Sequence, residues 1–394
     1  MKDKSLAILA DTYASPLFLN TLVREGIPAF AQSDRLSEEF KRYCPELKLL
    51  DKADALNIIA QPGCKLLSNS EIFLPCLINH SDPTKAGAIM TFKDKPKFRL
   101  LLSKSFPDYF FTVAKADELR NIDLPSGRDY VIKPSSGFSG TKVTRVNSAK
   151  DLHEKVDDLL SEVRQNAESL SSDLPGPGPA LLSPDRFLIE EHIKGEEIAC
   201  DAYFNSIGEP VILGIYDHPL LDKDDFRDIL YYTSSSLVKK MHPRIEDFLR
   251  KLSSQIAVKN FPVHAEFRLQ RNRLMPIEIN PMKFGSFSIS DLTFFAFMLN
   301  PYKYYYNEQK PDWKEVLPRA EGKIFYRVLS RMEAPLAEGE KPDHDEFAAA
   351  FPDLIGYCKL DTKRYPAFSI AFGRAEKADE LKRYLKIDFR DYTE

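Results

Sequence analysis

The 394-residue sequence has no C-x-x-C pair and no H-x-x-x-H pair. Those absences argue against zinc and other transition-metal centres. No apolar run reaches the roughly eighteen residues that a membrane-spanning helix needs. The five cysteines (Cys44, Cys64, Cys76, Cys200 and Cys358) are odd in number and widely spaced. That is the pattern of reduced thiols in a cytoplasm-like compartment, not of a disulfide framework. A net charge of −4 leaves no basic footprint for nucleic acid. The apolar run at 6–10 is too short for the core of a signal peptide. No G-x-G-x-x-G follows it; the chain runs instead into Asp11-Thr12-Tyr13-Ala14-Ser15, so a classical dinucleotide site is not expected there.

What is present is the composition of a soluble globular protein, 43% hydrophobic and 29% charged, long enough for two or three domains. Apolar runs at 5–10, 27–31 and 56–60 read as strands. A helix at 16–25 ends on Gly26. This β-α-β opening predicts a small α/β domain over 1–90. The basic, aromatic stretch 91–120 predicts a helix, then a loop and strand at 106–113. A strand at 130–134 and a returning strand at 142–146 flank a loop of small residues, and a helix follows over 151–170. Residues 171–179 hold three prolines and two glycines and read as a surface loop. Strands at 186–191 and 197–204 flank a turn at Lys194-Gly195. A helix is predicted over 243–259 and a hairpin across Arg271-Asn272. Residues 301–394 read as α+β, with strands at 323–329 and 367–372 and a final helix at 375–385.

Three segments carry chemistry. In Pro276-Ile277-Glu278-Ile279-Asn280-Pro281 the polar residues alternate with isoleucines, so Glu278 and Asn280 share one strand face. Glu266 lies in a similar run, His264-Ala265-Glu266-Phe267-Arg268. Two carboxylates and an amide oxygen are a hard donor set, suited to Mg²⁺ bound together with phosphates; two strands with charges on a wet face are the plainer alternative. Lys133 ends an apolar strand and precedes Ser135-Ser136-Gly137-Phe138-Ser139-Gly140-Thr141. Such a loop can close its amides over phosphate oxygens, with the lysine as a point charge; a hairpin beside a solvated lysine is the alternative. Phe138 at the tip could cover a nucleotide. In the third segment, 187–197, the order strand, acid pair, short linker and acid suits an adenosine site, though it also suits an acidic turn.

Together these segments, with Asp94-Lys95 before a helix, resemble the ATP-grasp superfamily over about residues 1 to 300, and most of all its carboxylate–amine ligases, including L-amino-acid ligases. The resemblance implies an ATP-grasp fold of α/β and α+β character: an N-terminal α/β domain at 1–90, an ATP-grasp domain of two lobes at 91–300, and a C-terminal α+β segment at 301–394. It also implies an ADP-forming enzyme that joins a small carboxylate to a small amine through an acyl phosphate. Its cofactors would be ATP and Mg²⁺, with Mn²⁺ as an alternative cation, and a homodimer would fit. By position, Lys95 and Lys133 match the ATP lysines, and Ser136, Gly137, Ser139 and Gly140 match the phosphate loop. Glu190 matches the adenine-side acid, Glu191 and Ile193 the backbone contacts, and Glu197 the ribose acid. Glu266, Glu278 and Asn280 match the metal ligands.

One position departs from the pattern. The superfamily writes E-x-N-P-R, and its arginine holds the acyl phosphate; here the position is Met282, followed by Lys283. Lys283 is one substitute, although it would face away if the strand continued. Arg268, on the Glu266 face, is the other. His264 is either a partner of the metal ligands or a satisfied strand histidine. Asp201 is either structural or within reach of substrate. The aromatic stretch from 291 to 306 is either core or pocket lining. A nucleotide-binding module without ligation and a phosphotransferase on the same fold are the rival functions.

Overall fold

The computed structural model describes residues 4–135, 143–173, 185–222, 227–332, 334 and 336–394. Strands β1 (Ser5–Leu9), β2 (Ala29–Ala31) and β3 (Lys65–Ser68) form a parallel sheet in the order β2-β1-β3. Helix α1 (Pro16–Glu25) follows β1. The Ser15 hydroxyl caps it, Pro16 occupies its first turn, and Gly26 ends it at φ 66°. Each is what a helix boundary demands. Helix α2 (Asp34–Tyr43) covers the sheet edge.

Residues 56–60 are not the expected strand. They end helix α3 (Lys52–Ile59), whose start is fixed by the Asp51 carboxylate accepting from the Asp54 amide at 2.9 Å. Short apolar runs suit either state, and here the cap decides. Helices α4 (Leu74–His80), α5 (Pro83–Lys93) and α6 (Lys95–Leu102) lead to the next layer. Asp94 ends α5 and caps α6 through the Lys97 amide at 3.0 Å, which turns the chain sharply at Lys95.

A four-stranded antiparallel sheet comes next. It is built from β4 (Phe111–Lys115), β5 (Tyr130–Pro134), β6 (Thr144–Val146) and β7 (Arg186–Glu191) in the order β4-β7-β5-β6. Helix α7 (Ala149–Asp173) packs Leu152, Val156, Leu159 and Val163 against Tyr130, Ile132, Val146, Phe187 and Ile189. Each such aliphatic burial stabilises by roughly 1.5–3 kcal/mol.

The largest sheet has eight antiparallel strands. They are β8 (Glu196–Phe204), β9 (Pro210–His218), β10 (Leu230–Ser234), β11 (Phe261–Gln270), β12 (Arg273–Pro281), β13 (Ile324–Arg331), β14 (Leu354–Lys359) and β15 (Ala367–Ala375). Their order is β12-β11-β8-β9-β10-β13-β15-β14, so the C-terminal strands extend the sheet that carries Glu266 and Glu278. Helix α8 (Ser235–Ile256) starts before the expected 243, because Ser234 caps it and Leu237, Val238 and Met241 are buried; Pro243 lies inside it. Helices α9 (Asp291–Phe297) and α10 (Pro301–Tyr306) follow β12, with Tyr302, Tyr305 and Tyr306 buried in the core. The expected final helix is a 3₁₀ helix, Ala378–Lys386.

Candidate functional site

The four-stranded and eight-stranded sheets face each other across a cleft. A cavity of about 1010 Å³ opens there, lined among others by His192, Glu197, His218, Leu230, Tyr232 and Arg268.

Lys133 on β5 and Glu190 on β7 meet at 2.6 Å, both buried. Arg99 of α6 also bonds Glu190 and donates to the carbonyls of Pro276 at 2.7 Å and Ile277 at 3.0 Å. It therefore ties the small sheet to β12 of the large one. Burial opposes ionisation of Glu190, but Arg99 and Lys133 overcome it and hold the carboxyl at about 2. The Lys95 amide donates to the Ser135 carbonyl at 2.8 Å, which brings α6 against the start of the small-residue loop. Ser136, Gly137, Ser139 and Gly140 lie outside the described residues.

Between β7 and β8 the chain turns at Gly195, φ 122°, where a Cβ would stand 2.2 Å from the Leu269 carbonyl oxygen. Only glycine allows that approach. In this linker the Glu191 carbonyl accepts from the Tyr109 hydroxyl at 2.7 Å, and its carboxylate pairs with Arg128. The Ile193 carbonyl accepts from Arg268 at 3.1 Å. Arg268 also bonds Glu197 at 2.9 Å, so it belongs to this linker. The other Glu197 oxygen accepts from His218 Nδ1 at 2.8 Å. His218 stacks on Tyr231 at 4.1 Å. Burial works against its charged ring, but Glu197 overcomes this and raises its pKa.

Glu266 and Glu278 stand directly opposite each other on β11 and β12, with a bulge just after Glu266. The Asn280 amide donates to both, at 3.3 and 3.1 Å. Like charges facing each other across strands repel. Burial and Glu278 push the Glu266 carboxyl well up. Burial also opposes ionisation of Glu278, but Lys95, Lys93 and Lys133 hold it at about 2. Burial then pulls Lys95 down to about 8 despite Glu278, aided by Lys93 and Lys133. No group of three or more acidic, histidine or cysteine side chains suited to a metal occurs among the described residues. Two carboxylates and an amide oxygen, facing lysines, fit an octahedral cation that takes its other ligands from phosphates and water. A turn of the Asn280 amide would aim its oxygen inward.

His264 touches this pair from behind. Its Nδ1 bonds Asp201 at 2.7 Å and its Nε2 is 3.7 Å from Glu266. Asp201 is fully buried and also accepts from the Gly285 amide, Ser290 and Tyr216, which makes it a structural hub. At Met282 the strand has ended. Its φ of 64° turns the chain, and its amide and carbonyl bond Pro262 and Ser68. Lys283 thus does not continue the strand alternation; its ammonium donates to Ser286 at 2.7 Å and acts electrostatically on Glu266.

Sequence reasoning missed Lys93, Arg99, His218 and, above all, Arg327. Arg327 lies on β13 with 0% exposure. Its Nε donates to the Phe287 carbonyl at 3.0 Å and its Nη1 to the Asp228 carbonyl at 2.8 Å. Its Nη2 has no partner among the described residues. Among the described residues no carboxylate pairs with it directly, and its pKa falls to about 10, chiefly through burial. No signal in the sequence around Arg327 marks it.

Residues 127–291 match the family model of the ATP-grasp domain. Residues 127–291 thus form an ATP-grasp domain, and the chain has the ATP-grasp fold. The whole chain is similar in structure to an L-amino acid ligase from Bacillus licheniformis, with a TM-score of 0.64, 15% identity, and 99% of this chain and 97% of that one covered. It is similar also to a carboxyaminoimidazole ribonucleotide synthase from Aspergillus clavatus complexed with ATP, with a TM-score of 0.63, 13% identity and 99% of each chain covered. A biotin carboxylase from Campylobacter jejuni gives a TM-score of 0.61 at 12% identity, with 96% and 88% covered. No curated protein matches the sequence.

Proposed function

We propose that the protein is an ATP-dependent carboxylate–amine ligase. The observation that carries this reading is the facing pair Glu266 and Glu278, set against Lys93, Lys95 and Lys133, with the buried Arg327 on the same sheet, whose Nη2 has no partner among the described residues. Lys95 and Lys133 would hold the phosphates of ATP, under the loop of Ser136, Gly137, Ser139 and Gly140. Glu190, Glu191 and Ile193 would bind the adenine edge, and Glu197 the ribose. Glu266, Glu278 and Asn280 would hold Mg²⁺, which neutralises charge on the β- and γ-phosphates when bound.

Arg327 would take the place of the arginine missing at Met282. Its free donors suit a carboxylate or acyl-phosphate oxygen, with Lys283 as a second cation. The substrate carboxylate would attack the γ-phosphorus, releasing ADP and leaving an acyl phosphate. The amine would then attack the acyl carbon and expel orthophosphate. Alignment and charge neutralisation supply most of the acceleration in such transfers. The acyl phosphate is labile in water, so the site must close over it.

The test is ADP release with Mg²⁺-ATP, hydroxylamine and a pool of L-amino acids, acetate and bicarbonate. Hydroxamate and ADP are expected in equal amounts, with a loss on the order of 10²-fold in Lys133→Ala. ATP binding without turnover would instead fit a binding module. A stable phosphoester would fit a phosphotransferase.

A further inference from the structure

Asp228 lies on the segment entering β10, beside Arg327, to which the proposed function assigns the acyl phosphate. Its backbone carbonyl accepts from Arg327 Nη1 at 2.8 Å. Its carboxylate stands 3.9 Å from His218 Nε2 and 4.0 Å from Arg331, at the outer limit of an ion pair with each. The Tyr231 hydroxyl donates to it at 3.3 Å. Tyr231 lies between His218, stacked on it at 4.1 Å, and Arg327, whose guanidinium carbon is 5.8 Å from the ring centre. The Asp228 side chain is 49% exposed, although it acts electrostatically on Glu266 and on Arg327, two groups at the heart of the site. It is a carboxylate held in place by its own backbone, close to the reacting centre, open to solvent, and bound tightly by no cation among the described residues.

An acyl phosphate beside Arg327 needs an amine, and most amines arrive as ammonium ions. Arg327, Arg331, Lys283 and His218 would repel an ammonium, while the neighbouring carboxylates are engaged, Glu197 by His218 and Arg268 and Glu266 in the proposed cation site. We propose that Asp228 binds the ammonium of the second substrate and takes one of its protons as nitrogen attacks. This rests on the ligase reading above. Of the three ammonium protons, one passes to the Asp228 carboxylate and one stays on the amide nitrogen. The third goes to the phosphate, which leaves with the electron pair of the broken C–O bond. The new C–N bond uses the nitrogen lone pair freed by Asp228, which later returns its proton to water.

The test compares two nucleophiles in Asp228→Asn, a substitution that preserves shape and the carbonyl that Arg327 uses. Hydroxylamine is neutral near pH 7 and needs no carboxylate to receive it. The same amino-acid pool without hydroxylamine supplies ammonium nucleophiles, and amide formation is read by mass spectrometry. The ratio of amide formation to hydroxamate formation is expected to fall about 10- to 100-fold, the range for a lost hydrogen bond between charged groups. The loss should appear in KM for the amine as well as in kcat, and Asp228→Glu should restore part of the ratio. An unchanged ratio, including equal loss of both products, would overturn the role of Asp228 and leave the ligase reading standing. Absence of hydroxamate in the wild-type protein would overturn the ligase reading, and this inference with it.

Discussion

Glu278→Gln is expected to lower ADP release on the order of 10³-fold while leaving the protein folded. In the proposed site Glu278 would supply one of the two negative charges facing the cation, and a neutral amide binds Mg²⁺ far more weakly. The carboxyl sits at about 2, because Lys95, Lys93 and Lys133 outweigh its burial. A carboxyl depressed in this way stabilises the fold above its ordinary pKa, and the stability is lost as pH falls toward 2. Glutamine removes that contribution at neutral pH. Glu266 works in the opposite sense, since Glu278 is one cause of its raised pKa. Removing Glu278 eases that repulsion, so the two stability changes offset each other. The large effect should be on turnover and on the Mg²⁺ concentration needed for it. Near-normal activity at unchanged Mg²⁺ would remove Glu278 from the metal site.

Arg327→Met should separate function from stability. The guanidinium is fully buried and has no direct carboxylate partner among the described residues, with only two carbonyls and the Tyr231 ring to offset its desolvation. Burying a cation without a partner costs several kcal/mol after relaxation, roughly. Methionine fills similar space without that cost, and loses two hydrogen bonds worth about 1.5–3 kcal/mol each. The thermal midpoint should therefore stay close to that of the wild type. Nucleotide binding should also persist, because Arg327 bonds Phe287 and Asp228, not Lys95, Lys133 or Glu190, among the described residues. Activity should fall on the order of 10²- to 10³-fold, the scale of a lost charge-stabilising donor. Arg327→Lys should not rescue it, since lysine lacks the planar fork. Full activity in Arg327→Met would make this arginine a packing residue and return the anion site to Lys283.

The parts of the site that could be read from the sequence are those where chemistry and local periodicity coincide. Strand alternation put Glu278 and Asn280 on one face, and the structure places them there with Glu266 opposite. Lys133 could be read because a lysine ending an apolar run before a small-residue loop is unusual. The turn at Lys194-Gly195 showed in its composition. What could not be read depends on distant pairing. Arg327 comes from a strand that joins the sheet carrying Glu266 and Glu278 across β10, and no local pattern reveals that register. His218 gains its place from Glu197 on the neighbouring strand. Arg99 looks like one more basic residue in a basic helix until Glu190 and β12 close around it. The strand expected at 56–60 failed for a simpler reason: a five-residue stretch with four apolar residues fits either state, and the Asp51 cap lay just upstream.

The most direct test of acyl-phosphate formation is the fate of oxygen in the substrate carboxyl. The acid identified by the hydroxamate assay would be supplied with both carboxyl oxygens as ¹⁸O, together with Mg²⁺-ATP and the amine. Orthophosphate would then be analysed by mass spectrometry. An acyl-phosphate route transfers one labelled oxygen to each orthophosphate formed with amide. Unlabelled orthophosphate accompanying amide would contradict the mechanism, because the carboxylate would never have attacked phosphorus.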